Sequence, residues 1–170
     1  LPADVEVAKA MEATWLRPSN DKAPRFQIER TSYGFRYAAI RRPIMNEATH
    51  DYIRTTVYIA PFTALIPPNS SYNVATLLTP EDDNTTIFYF IAWAGADKAG
   101  IDADTWRKFN KLQWGVDVDE HFNGVRTRDN LYRQDRAAMK TGNFTGISGI
   151  PNQDIAMWES MGPISDRSKD

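Results

Sequence analysis

Apolar and polar side chains alternate over 26–29 and 35–37, dense β-branched and aromatic runs continue to residue 93, and helix-capping residues mark the second half. Ahead of these, Val5, Ala8, Met11 and Trp15 recur at helical spacing, which predicts a short helix over 5–16 and then a loop over 18–24. Phe26-Gln27-Ile28-Glu29 alternates, 31–34 forms a turn, and Phe35-Arg36-Tyr37 resumes the alternation, so a β-hairpin is expected. The stretch 52–62 is dense in β-branched and aromatic residues and is expected to be extended. Two more strands, 73–78 and 85–93, are joined by the turn Pro80-Glu81-Asp82-Asp83-Asn84. Short turns between successive strands favour antiparallel pairing. Three helices should follow: one capped by Asp102 or Asp104 and running to about residue 112, one over 129–140, and one opened by Pro151 and Asn152 and stopped by Gly162-Pro163. Strands first and helices after predict an α+β architecture with helices on one face of the sheet. No repeat or linker interrupts the pattern, so residues 1–170 are expected to form a single domain.

Alternation also assigns faces. Phe88, Phe90 and Ala92 share one side of a strand, and Tyr89, Ile91 and Trp93 share the other. One side is expected to line a cavity while the other packs, which makes Phe88 and Phe90 candidate pocket residues. Asp82-Asp83 is a solvated turn rather than a cation site, because adjacent acids in a strand point apart and a calcium loop needs several spaced oxygen donors. Arg126, Arg128, Arg133 and Arg136 lie among Asp129 and Asp135, the pattern of an amphipathic helix making ion pairs.

Composition narrows the class. The 170 residues are 42% hydrophobic and 12% aromatic, enough for a sizeable core. A net charge of -2 gives no electrostatic case for binding nucleic acid or an anionic membrane. There is no cysteine, hence no disulfide, and none of the apolar runs approaches the roughly 18 residues of a membrane span. With no secretory signal pattern, a cytoplasmic location is expected.

The densest chemistry lies in the last twenty-two residues. In the helix expected there, Asn152 caps the first turn and Asp154 follows it, beside the positive end of the helix dipole. An acid there can simply complement that dipole, a contribution of roughly 0.3 to 1 kcal/mol, or it can stand as a metal-binding carboxylate. The residues alone leave both readings open.

The run Gln153-Asp154-x-x-Met157-x-Glu159-Ser160-Met161-Gly162-Pro163-Ile164-x-Asp166-Arg167-Ser168 resembles the C-terminal motif of Rieske-type aromatic ring-hydroxylating oxygenases. The similarity is to the branch containing phthalate 4,5-dioxygenase and phenoxybenzoate dioxygenase. It extends to Asn130, Asp135-Arg136 and Thr141-Gly142-x-Phe144-Thr145-Gly146-Ile147-x-Gly149-Ile150. Farther upstream it includes Tyr33-Gly34-x-Arg36-Tyr37, Ile66-Pro67-Pro68 and Asp82-Asp83-Asn84-Thr85. The resemblance implies a helix-grip fold, in which a curved antiparallel sheet wraps a C-terminal helix and encloses a pocket. It also implies an alpha subunit with a Rieske 2Fe-2S cluster in an N-terminal domain and a mononuclear non-haem Fe(II) in the catalytic domain, the latter held by two histidines and one carboxylate. Asp154 takes the carboxylate role. Asn152 joins Phe88 and Phe90 as a candidate pocket residue, and Asp135 and Arg136 are expected to support the ligand-bearing helix.

Departures from the family pattern are equally informative. A Rieske cluster needs two cysteines and two histidines, and the paired-histidine motif for the mononuclear iron is missing too. His50 and His121 stand alone and are expected to be exposed. The expectation is therefore a partial catalytic domain, inactive by itself, whose N-terminal part and Rieske domain lie outside these residues. The implied activity is hydroxylation or O-demethylation of an aromatic acid with dioxygen, using NADH-derived electrons from a separate reductase, in a homo-oligomer, commonly a trimer. The competing reading is a non-catalytic helix-grip module that binds a small apolar molecule.

Overall fold

The computed structural model describes residues 19–44, 46–67, 72–96, 100–166 and 168. The helix expected over 5–16 lies outside the described residues. The chain divides into two compact units, Leu1–Ile101 and Asp102–Asp170.

The first unit is a meander of six antiparallel strands: β1 (Arg25–Thr31), β2 (Gly34–Arg41), β3 (Tyr52–Ile59), β4 (Thr63–Ile66), β5 (Asn73–Pro80) and β6 (Thr86–Trp93), paired in that order. The hairpin expected around 31–34 is present, with Thr31 opposite Gly34. Glu29 faces Arg36 across it, and their side chains meet at 2.8 Å on the surface. That pair marks the register more than it stabilises it, since exposed ion pairs contribute little. Arg25, Glu29 and Arg30 also charge the β1 edge, which discourages pairing with another sheet.

One expectation is corrected here. The stretch 52–62 is not a single extended run but ends in a turn at Ala60–Phe62, after which β4 folds back on β3 with Val57 opposite Leu65. Pro61 has no N–H to give a ladder, so the strand ends where it stands. The β5–β6 turn matches the sequence reading. Asp82 accepts from the backbone N–H groups of Asn84 and Thr85 at 2.7 and 2.6 Å, and these bonds hold its carboxyl below the ordinary carboxylate pKa.

In the second unit, α1 (Ala103–Asn110) starts at Asp102, whose carboxylate accepts from Thr105 N at 2.9 Å. It ends at Lys111 in the left-handed region. The expected helix over 129–140 is not formed. A 3-10 segment, Arg128–Arg133, opens on a reciprocal cap between Thr127 and Asn130, and a separate 3-10 turn covers Ala138–Lys140. Within the first of these, Leu131, Tyr132 and Arg133 take successive positive φ angles of 51°, 54° and 50°. Such backbone costs on the order of 1 kcal/mol per residue. It is held by the burial of Tyr132 in a small core with Ile147 and Ala156. The arginines do not pair with Asp129 or Asp135 among the described residues. Arg126 instead reaches Asp117 at 2.9 Å in a largely buried ion pair that braces the loop after α1. The last helix, α2, spans Ile150–Ser160. A six-stranded antiparallel sheet with helices after it is the α+β class expected and is consistent with a helix-grip fold.

Gly34 has a φ of 150°, and a Cβ built there would lie 2.4 Å from the carbonyl oxygen of Tyr58. Gly34→Ala should therefore destabilise the protein by roughly 1–3 kcal/mol in urea unfolding. Gly124→Ala, with its nearest contact at 3.8 Å, should change stability by less than about 0.5 kcal/mol.

Candidate functional site

Asp154 sits on α2, but not where the sequence placed it. The cap is Gly149, at φ 84°, with Pro151 inside the first turn, so Asn152 is the third helical residue and Asp154 the fifth. No acid lies in the first turn. The helix dipole acts mainly within that turn, which removes the dipole-complementing account of Asp154.

Asn152 is not the cap either. Its side chain points back out of the helix and donates from Nδ2 to the carbonyl oxygens of Ser148 (3.0 Å), Lys111 (3.1 Å) and Asn110 (3.4 Å). Two of these acceptors belong to the C-terminal end of α1, whose carbonyls have no helical N–H to bond. Asn152 is buried, as are Asn110 and Pro151. The approach is so close that a Cβ on Gly149 would fall 2.2 Å from Asn110 O and 2.8 Å from Asn152 Nδ2. Its amide donors are committed to main-chain carbonyls, so Asn152 offers a substrate no free N–H.

Asp154 faces the other way. Successive helical residues turn by about 100°, so Asp154 lies roughly 200° from Asn152. Met157, Trp158 and Met161 fall on the Asp154 side and are exposed, whereas Ala156 shares the Asn152 side and is 1% exposed. Among the described residues Asp154 has no hydrogen-bond or ion-pair partner. Desolvation by its neighbours pushes the carboxyl pKa above its ordinary value.

Other candidates are placed as follows. Asp135 caps the Ala138–Lys140 turn, accepting from Ala137 N at 2.8 Å and Ala138 N at 3.0 Å, and its own N–H bonds Gly146 O at 2.8 Å. Arg136 is exposed. Phe88 and Phe90 lie on the half-buried side of β6 with ring centroids 5.8 Å apart, while Tyr89, Ile91 and Trp93 are more exposed. An open hollow of about 430 Å³ beside α1 is lined by Asp104, Thr105, Arg107, Lys108, Gln113 and Trp114 and includes none of the candidate residues.

His50 and His121 are both exposed. His50 Nδ1 bonds the Thr49 hydroxyl at 2.8 Å, and His121 Nε2 lies 3.6 Å from Glu120. Among the described residues no group of three or more histidine, cysteine, aspartate or glutamate side chains could hold a metal ion. Asp154 thus fits one anionic donor position, and the described residues do not complete the set. No described helix is long and apolar enough to cross a membrane.

Of the residues that build the seat of α2, Asn110 went unnoticed in the sequence, and Gly149 was noted in the motif but not as the cap. The available signal was Pro151: proline favours the first helical turn, which puts the cap ahead of it and not at Asn152.

Comparison with known proteins adds context to this geometry. The family model described as "LigXa C-terminal domain like" matches residues 1–170. The phthalate 4,5-dioxygenase oxygenase subunit of Pseudomonas putida is 60% identical over 168 residues, which is 99% of this chain and 38% of that protein. The 3-chlorobenzoate-3,4-dioxygenase oxygenase subunit of Comamonas testosteroni is 33% identical over 159 residues, 85% of this chain and 36% of that protein. The chain therefore spans well under half the length of these relatives.

Raised carboxyl pKa values make ionisation unfavourable in the folded state, so stability falls as pH rises from the ordinary carboxylate range through the folded value. Metal-free Asp154→Asn should accordingly unfold at a higher temperature than wild type at about pH 7, modestly because Asp154 is partly solvated. The advantage should vanish once the solution is acidic enough to protonate Asp154 in both states. Equal melting temperatures across the whole pH range would contradict this.

Proposed function

The chain belongs to the LigXa C-terminal domain like family, and from that premise we propose that it forms part of the catalytic domain of an aromatic-ring oxygenase subunit, an oxidoreductase. Both named relatives are oxygenase subunits of dioxygenases acting on aromatic carboxylates, so the substrate class proposed is an aromatic acid. The observation that carries the reading is Asp154: an exposed carboxylate without a hydrogen-bond or ion-pair partner among the described residues, its pKa raised by partial desolvation, on the helix side that also carries Met157, Trp158 and Met161.

In this reading Asp154 is one ligand of a mononuclear ferrous ion, and two histidines come from outside these residues. Bound there, the iron supplies the dioxygen chemistry. Asp154 contributes negative charge, and because no hydrogen bond or cation competes for it, both carboxylate oxygens are available as donors. Beside a bound divalent cation Asp154 would be ionised despite its raised pKa. Phe88 and Phe90, on the half-buried side of β6 in the sheet unit, are proposed as pocket residues able to stack on an aromatic ring. This chain has no cysteine, so electrons from NADH would enter through a separate reductase and a Rieske 2Fe-2S cluster carried elsewhere in the polypeptide. A cytoplasmic homo-oligomer, such as a trimer, completes the proposal.

Asp154→Ala in the complete subunit is expected to lose its mononuclear iron and to turn over more than about 100-fold more slowly, since even an outer hydrogen-bond partner of a ligand is worth 10–100-fold. The 2Fe-2S absorbance should be retained. Full iron content with undiminished turnover in that variant would refute the assignment. If the wild-type subunit itself holds no iron and binds apolar small molecules without turnover, the non-catalytic module is the better account.

A further inference from the structure

We infer that Asn152 is a positioning residue for Asp154: its carboxamide, locked to the carbonyls of Ser148, Lys111 and Asn110, sets the rotation of α2 and thereby the direction of the Asp154 carboxylate. The inference rests on the reading of Asp154 as an iron ligand.

Three observations carry it. First, Asn152 is the buried residue of α2 whose side chain makes directional bonds to main-chain carbonyls. The buried residues of α2 are Pro151, Asn152 and Ala156, and its cap, Gly149, makes no side-chain hydrogen bond. Proline and alanine present small, smooth surfaces, and contacts of that kind resist separation better than they resist sliding. A hydrogen bond is directional, so among these three the Asn152 amide is the residue that distinguishes one rotation from the next.

Second, the lock closes on a rigid seat. Asn110 is fully buried and its Nδ2 bonds Trp106 O at 2.9 Å, while Lys111, in the left-handed conformation, returns its N–H to α1. The glycine at 149 lets the two chains meet where any side chain would collide with Asn110 O. Tyr132, packed with Ala156, presses the same side of α2 one turn farther along.

Third, the leverage is large. A helix with side chains has a radius of about 5–6 Å, so turning α2 by about 10° carries the Asp154 oxygens roughly 1 Å. Functional groups need placement within about 0.5 Å. Losing the amide therefore matters at the far side of the helix, even though Asn152 and Asp154 point in nearly opposite directions.

The test uses the complete oxygenase subunit, stripped of mononuclear iron and titrated with Fe(II) alone. Asn152→Asp, an isostere without the amide hydrogens, and Asn152→Ala should bind Fe(II) at least about 10-fold more weakly than wild type. Both should also alter the high-spin EPR signal of the nitric oxide adduct, with circular dichroism showing folded protein. Asn152→Ser keeps one donor and should fall between, which decides the matter if the other two fail to fold. Gly34→Ala, strained within the sheet unit, controls for lost stability and should show wild-type affinity and signal. Folded Asn152 variants with unchanged affinity and EPR signal would overturn the inference and leave Asn152 a purely structural residue, with the reading of Asp154 intact. A wild-type subunit that takes up no Fe(II), or an Asp154→Ala variant that binds it normally, would remove that reading and the inference with it.

Discussion

The contact on which the second unit depends is the amide of Asn152 against the end of α1. Helices leave their last carbonyls without partners, and burying such a group unsatisfied costs about 1–3 kcal/mol. Here one helix meets the need of the other, because a side chain from the first turn of α2 supplies donors to Asn110 O and Lys111 O as well as to Ser148 O. Several features then follow as requirements. Residue 149 must be glycine, since a side chain would occupy the space of Asn110 O. Lys111 leaves the helix in the left-handed conformation, and its carbonyl is one of the acceptors of the Asn152 amide. Pro151, lacking an N–H, sits in the first turn where that N–H would have had no partner.

Much of the sheet was legible because β-branched and aromatic runs bounded by turn residues report extended backbone, even in β1, where Phe26 and Ile28 are exposed. β1, β2, β5 and β6 stand within a few residues of where residue type and turn signals put them, and the Asp82 turn formed as its composition required. The exceptions have local physical causes. A dense β-branched run conceals the break at Pro61, because side-chain type says extended while the missing N–H says stop. Over 129–140 the arrangement of arginines and aspartates imitates the charge spacing of an amphipathic helix. What decides that segment is non-local: Tyr132 reaches the core with Ile147 and Ala156 only if the backbone turns left-handed at 131–133. No window of sequence around Tyr132 contains Ala156.

Asp154 shows the same division between local and distant information. Its residue type and its motif were visible, but its place in the helix was misread by a few positions, and those positions carry the physics. In the first turn the carboxylate would be stabilised by free N–H groups and the dipole, and its presence would need no further explanation. In the second turn it has neither. The structure gives it Met157, Trp158 and Met161 on the same side of the helix and raises its pKa. An acid kept where the fold makes ionisation harder is a cost to stability, and such costs gather where a bound cation can repay them.

The two sides of α2 therefore divide the work by the kind of force each uses. Apolar contact at Ala156 holds the helix in place but discriminates weakly among rotations, since a methyl group presents nearly the same surface through a range of angles. Polar contact at Asn152 contributes less per unit area yet discriminates sharply, because a carboxamide displaced from three carbonyl oxygens loses its bonds within a fraction of an ångström. A helix that only had to be stable could dispense with the second. A helix that must aim one carboxylate cannot, and that is a physical reason for a buried asparagine where a leucine would fill the space and leave two carbonyls of α1 unanswered.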